Sequence, residues 1–231
     1  MINMVGRSGD FALSKDELAR LLDTFKDVHE KAIIALAVTT GIRRKDLVEI
    51  KRSNYNSSTR KLTFYEHKKD GYHTIKIPSK LTILLLNDHI ATSVYSEWLF
   101  PSPLSSEYHV SVRHVFDLFN RHLVMAGLNR RPFHSLRATF LQLCESAGVD
   151  FHTTTGIMNI RGDTACGNYH KREWRPTPEE MKDVAINKPL LTGILTENEI
   201  KMIKLMESES QSNGGGNTLR CAFCWGNEGC R

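Results

Sequence analysis

The stretch "HEKAIIALAVTTG", residues 29–41, constrains the fold more than any other part of the chain. Its apolar residues occupy most faces of a helix, and such a helix is stable only when other elements cover it on several sides. Gly41 is its expected end, because glycine readily adopts the left-handed backbone that terminates helices. The sequence therefore predicts a domain built around a buried central helix.

Most of the remaining chain also follows the helical period. The first predicted helix carries a capping-box signature, with Ser14 at the N-cap and Glu17 three residues later. Further helices are predicted in "RRKDLVEI", "SKLTILLLNDHI", "VSVRHVFDLFNRHLVMAGL", the stretch from Pro132 to Gly148, "DFHTTTGIMNI" and "LTENEIKMIKLMESES". The stretch "SEWLFPSPLSSEYH" contains two prolines and is predicted to be a loop.

One segment changes to the two-residue period of β-strands. "KLTFYEH" and "HTIKIP" alternate apolar and polar residues, and "KKDG" between them contains the Asp-Gly signal of a tight hairpin. Pro78 is expected to end the second strand. The predicted fold class is therefore mainly α with a small antiparallel β-sheet, that is, α+β.

The distribution of charge is more informative than the net charge of +5, which many proteins share. Cations are concentrated in four segments: "GIRRKDLVEIKR", "EHKKDGYH", "NRRPFHSLR" and "YHKREWR". Each segment alone is typical of a solvated face, whereas four segments that meet in one groove would form a nucleic-acid footprint. No apolar run reaches the roughly 18 residues of a membrane span, and the N-terminus lacks a secretory signal. The expected location is cytoplasmic.

Four short motifs carry residues suited to phosphate chemistry. His134 and Arg137 lie one turn apart on a predicted helix, so they direct a proton-transfer group and a cation to the same place. Arg43 begins a helix, where an anion is favoured, and Lys68 and Lys69 lie at the hairpin tip. Each of these motifs also has a purely structural interpretation as a surface ion pair or a protected strand edge.

Tyr169 is the candidate nucleophile. It lies in "GNYHKR", among glycine, asparagine and three basic residues, which is a poor environment for a core side chain. A phenol with a pKa of about 10 attacks phosphorus only when cations and a base assist it. Arg43, Arg137 and His134 would supply that assistance without a metal.

The order of these motifs resembles the catalytic domain of the tyrosine recombinases, the phage-integrase family. "TTGIRRKDLVEI" is similar to the first arginine motif, in which Asp46 follows Arg43 by three residues, and "HSLRATF" is similar to the second motif. "ESAGVDFHTTTGIMNI" resembles the helix that precedes the third motif, and its spacing to Tyr169 agrees with the family. The resemblance covers roughly residues 13 to 172 and implies the catalytic-domain fold of that family.

The resemblance also implies roles. Arg43 and Arg137 would hold the scissile phosphate, Lys69 would protonate the leaving 5′-oxygen, and His134 would assist proton transfer. Lys68 is the alternative lysine, since the hairpin tip fits the family pattern only with a shift of one residue. Tyr169 would form a 3′-phosphotyrosyl link. Additional DNA contacts are expected from residues flanking the motifs: Arg44, Lys68, Arg130, Arg131, Lys171 and Arg172.

The third motif departs from the family. A histidine or tryptophan usually stands nine residues before the tyrosine, and this chain has Ile160 there, with Arg161 beside it. Arg161 is the expected substitute, because a guanidinium also donates to phosphate oxygens. The alternative is that Arg161 pairs with Asp163 and the motif is degenerate.

The chain divides into four predicted segments: a lead-in at 1–12, the catalytic domain at 13–178, a helical extension at 179–210, and a flexible linker with a cysteine tail at 211–231. The extension would dock either on a neighbouring protomer or on its own domain. Cys221, Cys224 and Cys230 give three thiols where structural zinc takes four ligands, so an unliganded tail is favoured over zinc. Cys144 and Cys166 are interpreted as packing residues. Only residues 1–12 precede the matched region, so we expect either a catalytic unit acting alone or part of a longer protein.

The resulting hypothesis is a site-specific DNA recombinase that cuts and rejoins duplex DNA without cofactors and self-associates on DNA as a dimer to tetramer. Two alternatives stay open. One is DNA relaxation of the type IB topoisomerase kind, which uses similar arginine, lysine and tyrosine chemistry. The other is an inactive DNA-binding module that kept the fold, which the departure at Ile160 permits.

Overall fold

The structure is a computed structural model that describes residues 11–160. Within this part of the chain the helices are α1 (Lys15–Asp23), α2 (Val28–Thr40), α3 (Arg44–Val48), α4 (Lys80–Thr92), α5 (Val112–Met125), α6 (Ser135–Ser146) and α7 (Phe151–Met158). The strands are β1 (Tyr55–Asn56), β2 (Lys61–Glu66), β3 (Gly71–Lys76), β4 (Pro101–Ser102) and β5 (Ser105–His109). The predicted α+β class is confirmed. None of these helices is long and apolar enough to cross a membrane.

Helix α2 is the buried centre of the domain, as predicted. Every residue from Ala32 to Thr40 is buried, and α2 packs mainly on α4 and α6. Gly41 ends the helix with φ of +62°. A Cβ on Gly41 would approach Phe140 Cδ1 to 3.0 Å and Met158 Cγ to 3.1 Å, so both the backbone angle and the space favour glycine here.

Helix α1 begins with the predicted capping box. The Ser14 hydroxyl accepts the Glu17 amide at 3.2 Å, and the Glu17 carboxylate accepts the Ser14 amide at 2.9 Å. Arg131 fixes the preceding residues, because its guanidinium donates to the Phe11 and Ala12 carbonyls and pairs with Glu17. The start of the domain is therefore bound to the segment that leads into α6.

The predicted hairpin forms β2 and β3 of a three-stranded antiparallel sheet of order β1-β2-β3, with β2 in the centre. Its register pairs Leu62 with Ile75 and Glu66 with Gly71. Along β2, Leu62, Phe64 and Glu66 face the buried side. The Glu66 carboxylate thus occupies the last position of an otherwise apolar strand face, directly before the turn of residues 67–70. This position brings Glu66 to Arg43.

Three details differ from the sequence prediction. The predicted loop "SEWLFPSPLSSEYH" contains the paired strands β4 and β5; its prolines hide the alternation, and proline is tolerated at the end of an edge strand. The predicted helix from Pro132 begins only at Ser135, because the Ser135 amide donates to the Pro132 carbonyl at 2.9 Å and closes a turn first. Strand β3 begins at Gly71, two residues before the predicted start.

Candidate active site

Arg43 is positioned by the junction between α2 and α3. Gly41 turns the chain out of α2, and Arg43 is the N-cap of α3, with extended backbone and a side chain that is 20% exposed. Its guanidinium pairs with Glu66 and lies 3.9 Å from the Asp46 carboxylate. One face of Arg43 is thereby held by acids while part of the side chain reaches solvent.

Asp46 and Glu66 are both 2% exposed, and buried carboxylates are stable only when charged or donating groups surround them. Asp46 accepts the backbone amide of His67 at 3.2 Å and its Nδ1–H at 2.9 Å. His67 Nε2 also lies 3.0 Å from Glu49. These contacts join the base of the hairpin turn to α3, so the hairpin and Arg43 share one anchor.

Arg137 is buried on α6, with 2% of its surface exposed. Its guanidinium donates to the Gly41 carbonyl and, through Nη2, to the Met158 carbonyl at 3.3 Å. These carbonyls lie at the C-terminal ends of α2 and α7, where the helix dipole places partial negative charge. Arg137 therefore binds three helix ends together and fixes a cation at their meeting point.

His134 lies one turn before Arg137, at the N-cap of α6. The residue is exposed. Its pKa nevertheless falls to about 4, first because the surrounding protein desolvates the ring and then because neighbouring cations disfavour a further positive charge. The imidazole is therefore neutral at physiological pH and retains a nitrogen that accepts a proton.

The cations that lower the pKa of His134 are, in order of effect, Arg137, Arg43 and Lys68. They come from α6, from the start of α3 and from the hairpin tip, which are far apart in sequence. The contacts agree with this: Arg137 donates to the Gly41 carbonyl, Arg43 pairs with Glu66, and Asn159 joins Glu66 to Lys69, so three of the four predicted cationic segments meet.

The two hairpin lysines have different neighbours. Lys68 is exposed, and its positive charge lowers the pKa of His134. Lys69 is also exposed, and its Nζ donates to Asn159 Oδ1 at 2.5 Å. The Asn159 amide group in turn donates to Glu66. Asn159 was not among the predicted site residues; the available signal was an asparagine at the end of the "DFHTTTGIMNI" pattern, a position where the left-handed conformation is common.

The flanking basic residues fall into distinct environments. Arg44 lies over the Phe116 ring at 5.2 Å, and its pKa is lowered by burial and by Arg113. Arg130 is exposed. Arg131 is held at the start of the domain by the contacts given above, so its guanidinium already has structural partners.

Several predicted site residues lie outside the described residues: Arg161, Tyr169, Lys171 and Arg172, and likewise Cys166, the helical extension, and Cys221, Cys224 and Cys230 of the tail. Ile160 is the last described position, and it packs, half-buried, against the core. Cys144 is fully buried, as expected of a packing residue, and burial raises the pKa of its thiol. Among residues 11–160, no cluster of three or more His, Cys, Asp or Glu side chains is arranged to hold a metal ion.

Solved structures with the same fold include tyrosine recombinases and integrases. XerA recombinase aligns with a TM-score of 0.59 at 17% identity, over 85% of this chain and 65% of that one. The integrase of mycobacterium phage Brujita gives 0.57 at 20% identity, over 80% and 65%. A lambda integrase dimer bound to a COC′ core site gives 0.59 at 22% identity, over 72% and 62%. At these identities the likeness establishes the fold.

The aligned part of each of these proteins is less than two thirds of its own length, since the chain covers 65%, 65% and 62% of them. No curated protein sequence matches the chain. The model of the phage integrase family matches residues 12–171, which is most of the chain and close to the predicted range of residues 13 to 172. The chain therefore belongs to the phage integrase family of tyrosine recombinases.

Proposed function

We propose that this chain is the catalytic part of a site-specific recombinase, which cuts and rejoins duplex DNA through a 3′-phosphotyrosyl intermediate on Tyr169. The observation that carries the proposal is the network of contacts that joins Arg43 through Glu66 and Asn159 to Lys69, beside the anchored guanidinium of Arg137 and one turn from His134. Such a dense group of cations with one neutral base suits a phosphodiester, whose negative charge increases in the transition state.

The two arginines would clamp the scissile phosphate. Arg137 is held from behind by two backbone carbonyls, and Arg43 is held by Glu66 and Asp46. Because these partners fix both guanidinium groups before substrate binds, little reorganisation is needed when the phosphorane charge develops. The same cations neutralise that charge, so no metal or nucleotide is required in this scheme.

The proton transfers would be divided between His134 and Lys69. The Tyr169 oxygen attacks phosphorus and loses its proton to a base, for which neutral His134 is the candidate. The bond from phosphorus to the 5′-oxygen breaks, and that oxygen takes a proton from Lys69, with Lys68 as the alternative donor. A 5′-hydroxyl from another strand then attacks the phosphotyrosyl bond and releases Tyr169, which completes rejoining without ATP. Arg161 would donate to a phosphate oxygen in place of the usual third-motif residue.

The partners proposed are duplex DNA and further copies of this chain. Arg44, Lys68, Arg130, Lys171 and Arg172 would contact the DNA backbone, so binding should weaken steeply as salt rises. Arg131, which the sequence also suggested as a DNA contact, is held by Glu17 and by the Phe11 and Ala12 carbonyls, so we assign it a structural role. Lambda integrase has been solved as a dimer on a core site and as a tetramer on a Holliday junction, and XerH on its difH substrate. By analogy, this chain would assemble as a dimer to tetramer, with the segment after Pro178 docking between protomers.

A second candidate is a DNA-binding module without turnover. Ile160 favours it, because an apolar side chain packed against the core replaces a group that would donate to the phosphate. In that case the arginines would still bind the phosphate, whereas tyrosine attack would be too slow to observe.

A suicide-substrate assay separates these functions. Purified protein is mixed without Mg²⁺ with a panel of nicked duplexes, in which the short fragment released by cleavage diffuses away and traps the covalent product. A covalent adduct on a denaturing gel that is absent with Tyr169→Phe supports the proposal. DNA binding with no adduct on any duplex would favour the inactive module. Recombination of paired sites, rather than relaxation of supercoils, then distinguishes a recombinase from a type IB topoisomerase.

A further inference from the structure

Asn159 connects the hairpin tip to the arginine cluster. It ends α7 in the left-handed conformation, with φ of 49° and ψ of 51°, which asparagine tolerates better than most residues. Its carbonyl oxygen accepts Lys69 Nζ at 2.5 Å, and its NH₂ group donates to Glu66. The partners fix this orientation of the amide, because an ammonium group only donates and a carboxylate only accepts.

The contacts of Asn159 extend to both arginines. Glu66, which takes the amide donor of Asn159, also pairs with Arg43. The residue before Asn159 is Met158, and its carbonyl accepts Arg137 Nη2. The described residues therefore contain a continuous chain of polar contacts from Arg43 through Glu66 and Asn159 to Lys69, beside the anchor of Arg137. A sequence gap of 90 residues separates Asn159 from Lys69, so the fold alone produces this meeting.

We propose that Asn159 is the positioning residue for Lys69 and holds its ammonium group at the phosphate clamp. This inference rests on the proposed function and deepens it, because it selects Lys69 over Lys68 as the donor to the 5′-oxygen. An exposed lysine on a hairpin samples many rotamers. A general acid works only when it lies within hydrogen-bond reach of the leaving oxygen. A fixed acceptor at the end of α7 supplies that restraint.

The choice of an amide over a carboxylate has a chemical reason. A neutral carbonyl oxygen orients the ammonium group and still lets it release its proton when the 5′-oxygen develops charge. An aspartate at the same position would make a full ion pair with Lys69 and stabilise the protonated form more strongly. It would also place a second negative charge beside buried Glu66. Asn159→Asp should therefore preserve the position of Lys69 while impairing proton release.

The experiment compares two nicked duplexes that differ in one atom. One has an ordinary phosphodiester, and the other has sulfur in place of the bridging 5′-oxygen, so that a thiolate leaves without needing a proton. Cleavage is measured for the wild type and for Asn159→Gly, Asn159→Asp and Lys69→Ala. Glycine at 159 keeps the left-handed backbone while removing the amide. Asn56→Gly, which removes an exposed asparagine at the end of β1, outside the site, is the matched control.

We expect the variants to cleave the ordinary duplex slowly and the sulfur duplex at a normal rate. Asn159→Gly should cleave the ordinary duplex about tenfold more slowly than wild type, which is less than the roughly 10²–10⁴-fold that a general acid contributes. Lys69→Ala should lose about 10²-fold or more on that duplex. Both variants should cleave the sulfur duplex at nearly the wild-type rate, Asn159→Asp should show the same pattern, and Asn56→Gly should be normal on both.

Two results would overturn the inference. If Asn159→Gly cleaves both duplexes at wild-type rates, the contact between Asn159 and Lys69 does not contribute to cleavage. If it cleaves both equally slowly, the substitution acts through the fold or the arginine clamp and not through proton transfer. A thermal-unfolding measurement of each variant identifies simple loss of folding. A wild-type protein that binds both duplexes and cleaves neither refutes the proposed function itself, and this outcome differs visibly from a defect confined to Asn159 variants.

A second measurement tests the contact without activity. The side-chain amide of Asn159 gives its own NMR signals, which should move when Lys69 is replaced by alanine. Lys68→Ala should leave them nearly unchanged, because the lysine that donates to Asn159 is Lys69. Movement with Lys68→Ala alone would overturn the assignment of Lys69.

Discussion

The cationic cluster has two parts that are built in opposite ways. Arg43 and Arg137 lie at helix junctions, where buried carboxylates and backbone carbonyls hold their guanidinium groups. Lys68 and Lys69 lie on an exposed turn. The difference matches the two tasks proposed for them: a phosphate clamp consists of cations held by buried partners, whereas a proton donor on an exposed turn needs a separate restraint, which Asn159 gives to Lys69. Substitutions at the helix junctions should therefore lower both cleavage and stability, whereas substitutions on the hairpin should act mainly on proton transfer.

Arg137→Ala should have the largest effect, since it removes the most rigid cation. We expect cleavage to fall by about 10³-fold, the upper end of what one preorganised donor contributes. We also expect the free energy of unfolding to fall by about 1–3 kcal/mol, because the Gly41 and Met158 carbonyls lose a buried donor. Adduct formation and urea denaturation measure the two effects. Unchanged stability would show that the α2–α7 junction does not depend on Arg137.

Arg43→Gln should reduce cleavage by about 10²-fold and should destabilise the domain, because Glu66 stays buried without its cation. A double variant separates these effects. Adding Glu66→Gln removes the buried charge, so stability should return toward the wild-type value while cleavage stays low. Urea denaturation of the single and double variants tests this cycle. Recovery of cleavage in the double variant would contradict the clamp role of Arg43.

The positions of the helix-junction residues could be predicted from the sequence more completely than the contacts of the hairpin residues. Gly41, Arg43, His134 and Arg137 each belong to a local pattern: Gly41 ends α2, Arg43 is the N-cap of α3, and His134 and Arg137 lie one turn apart at the start of α6. Local patterns are readable because caps and helix periods depend on residues only a few positions apart. The central helix, the capping box and the hairpin were predictable for the same reason.

Contacts between residues far apart in the chain could not be predicted from the sequence. Glu66 looked like an ordinary strand residue, and Asn159 looked like a helix end, because neither sequence neighbourhood shows that a partner lies far along the chain. The β4–β5 pair was missed because two prolines interrupt its short strands. The same limit applies to Arg131, whose pairing with Glu17 and with the carbonyls of residues 11 and 12 is set by tertiary packing.

Arg130 and Arg131 are neighbours, one exposed and one held by contacts within the domain, so they allow the same comparison. The expected changes are smaller than those at Arg43 and Arg137. Arg130 is exposed, so Arg130→Ala should weaken DNA binding and lower the slope of log affinity against log salt by about 1. Arg131→Ala should instead act mainly on stability, with a loss of about 1–2 kcal/mol, because it removes charged hydrogen bonds that hold the start of α1. Salt titrations of DNA binding and urea denaturation of both variants test this division. Equal salt slopes in the two variants would place both residues on the DNA backbone.

The smallest expected effect is the titration of His134, which reports on both parts of the cluster at once. Its pKa of about 4 lies below the usual 6.5 because burial, Arg137, Arg43 and Lys68 disfavour the protonated ring. As the pH falls from 6.5 toward 4, the unfolded chain binds this proton before the folded chain does. The pKa difference of this histidine therefore makes the domain less stable as the pH falls from about 6.5 to about 4, and has no effect on stability above that range.

Removing a cation should raise that pKa, and adding an anion should raise it further. We expect the His134 signals to titrate at a higher pH in Arg43→Gln and in Lys68→Ala, and higher still when DNA phosphate occupies the clamp. NMR titration of the imidazole measures each case, with Asn56→Gly as a control that leaves the cluster intact. A larger shift in Lys68→Ala than in Arg43→Gln would show that the hairpin approaches His134 more closely than the helix junction does, and would favour Lys68 as the proton donor.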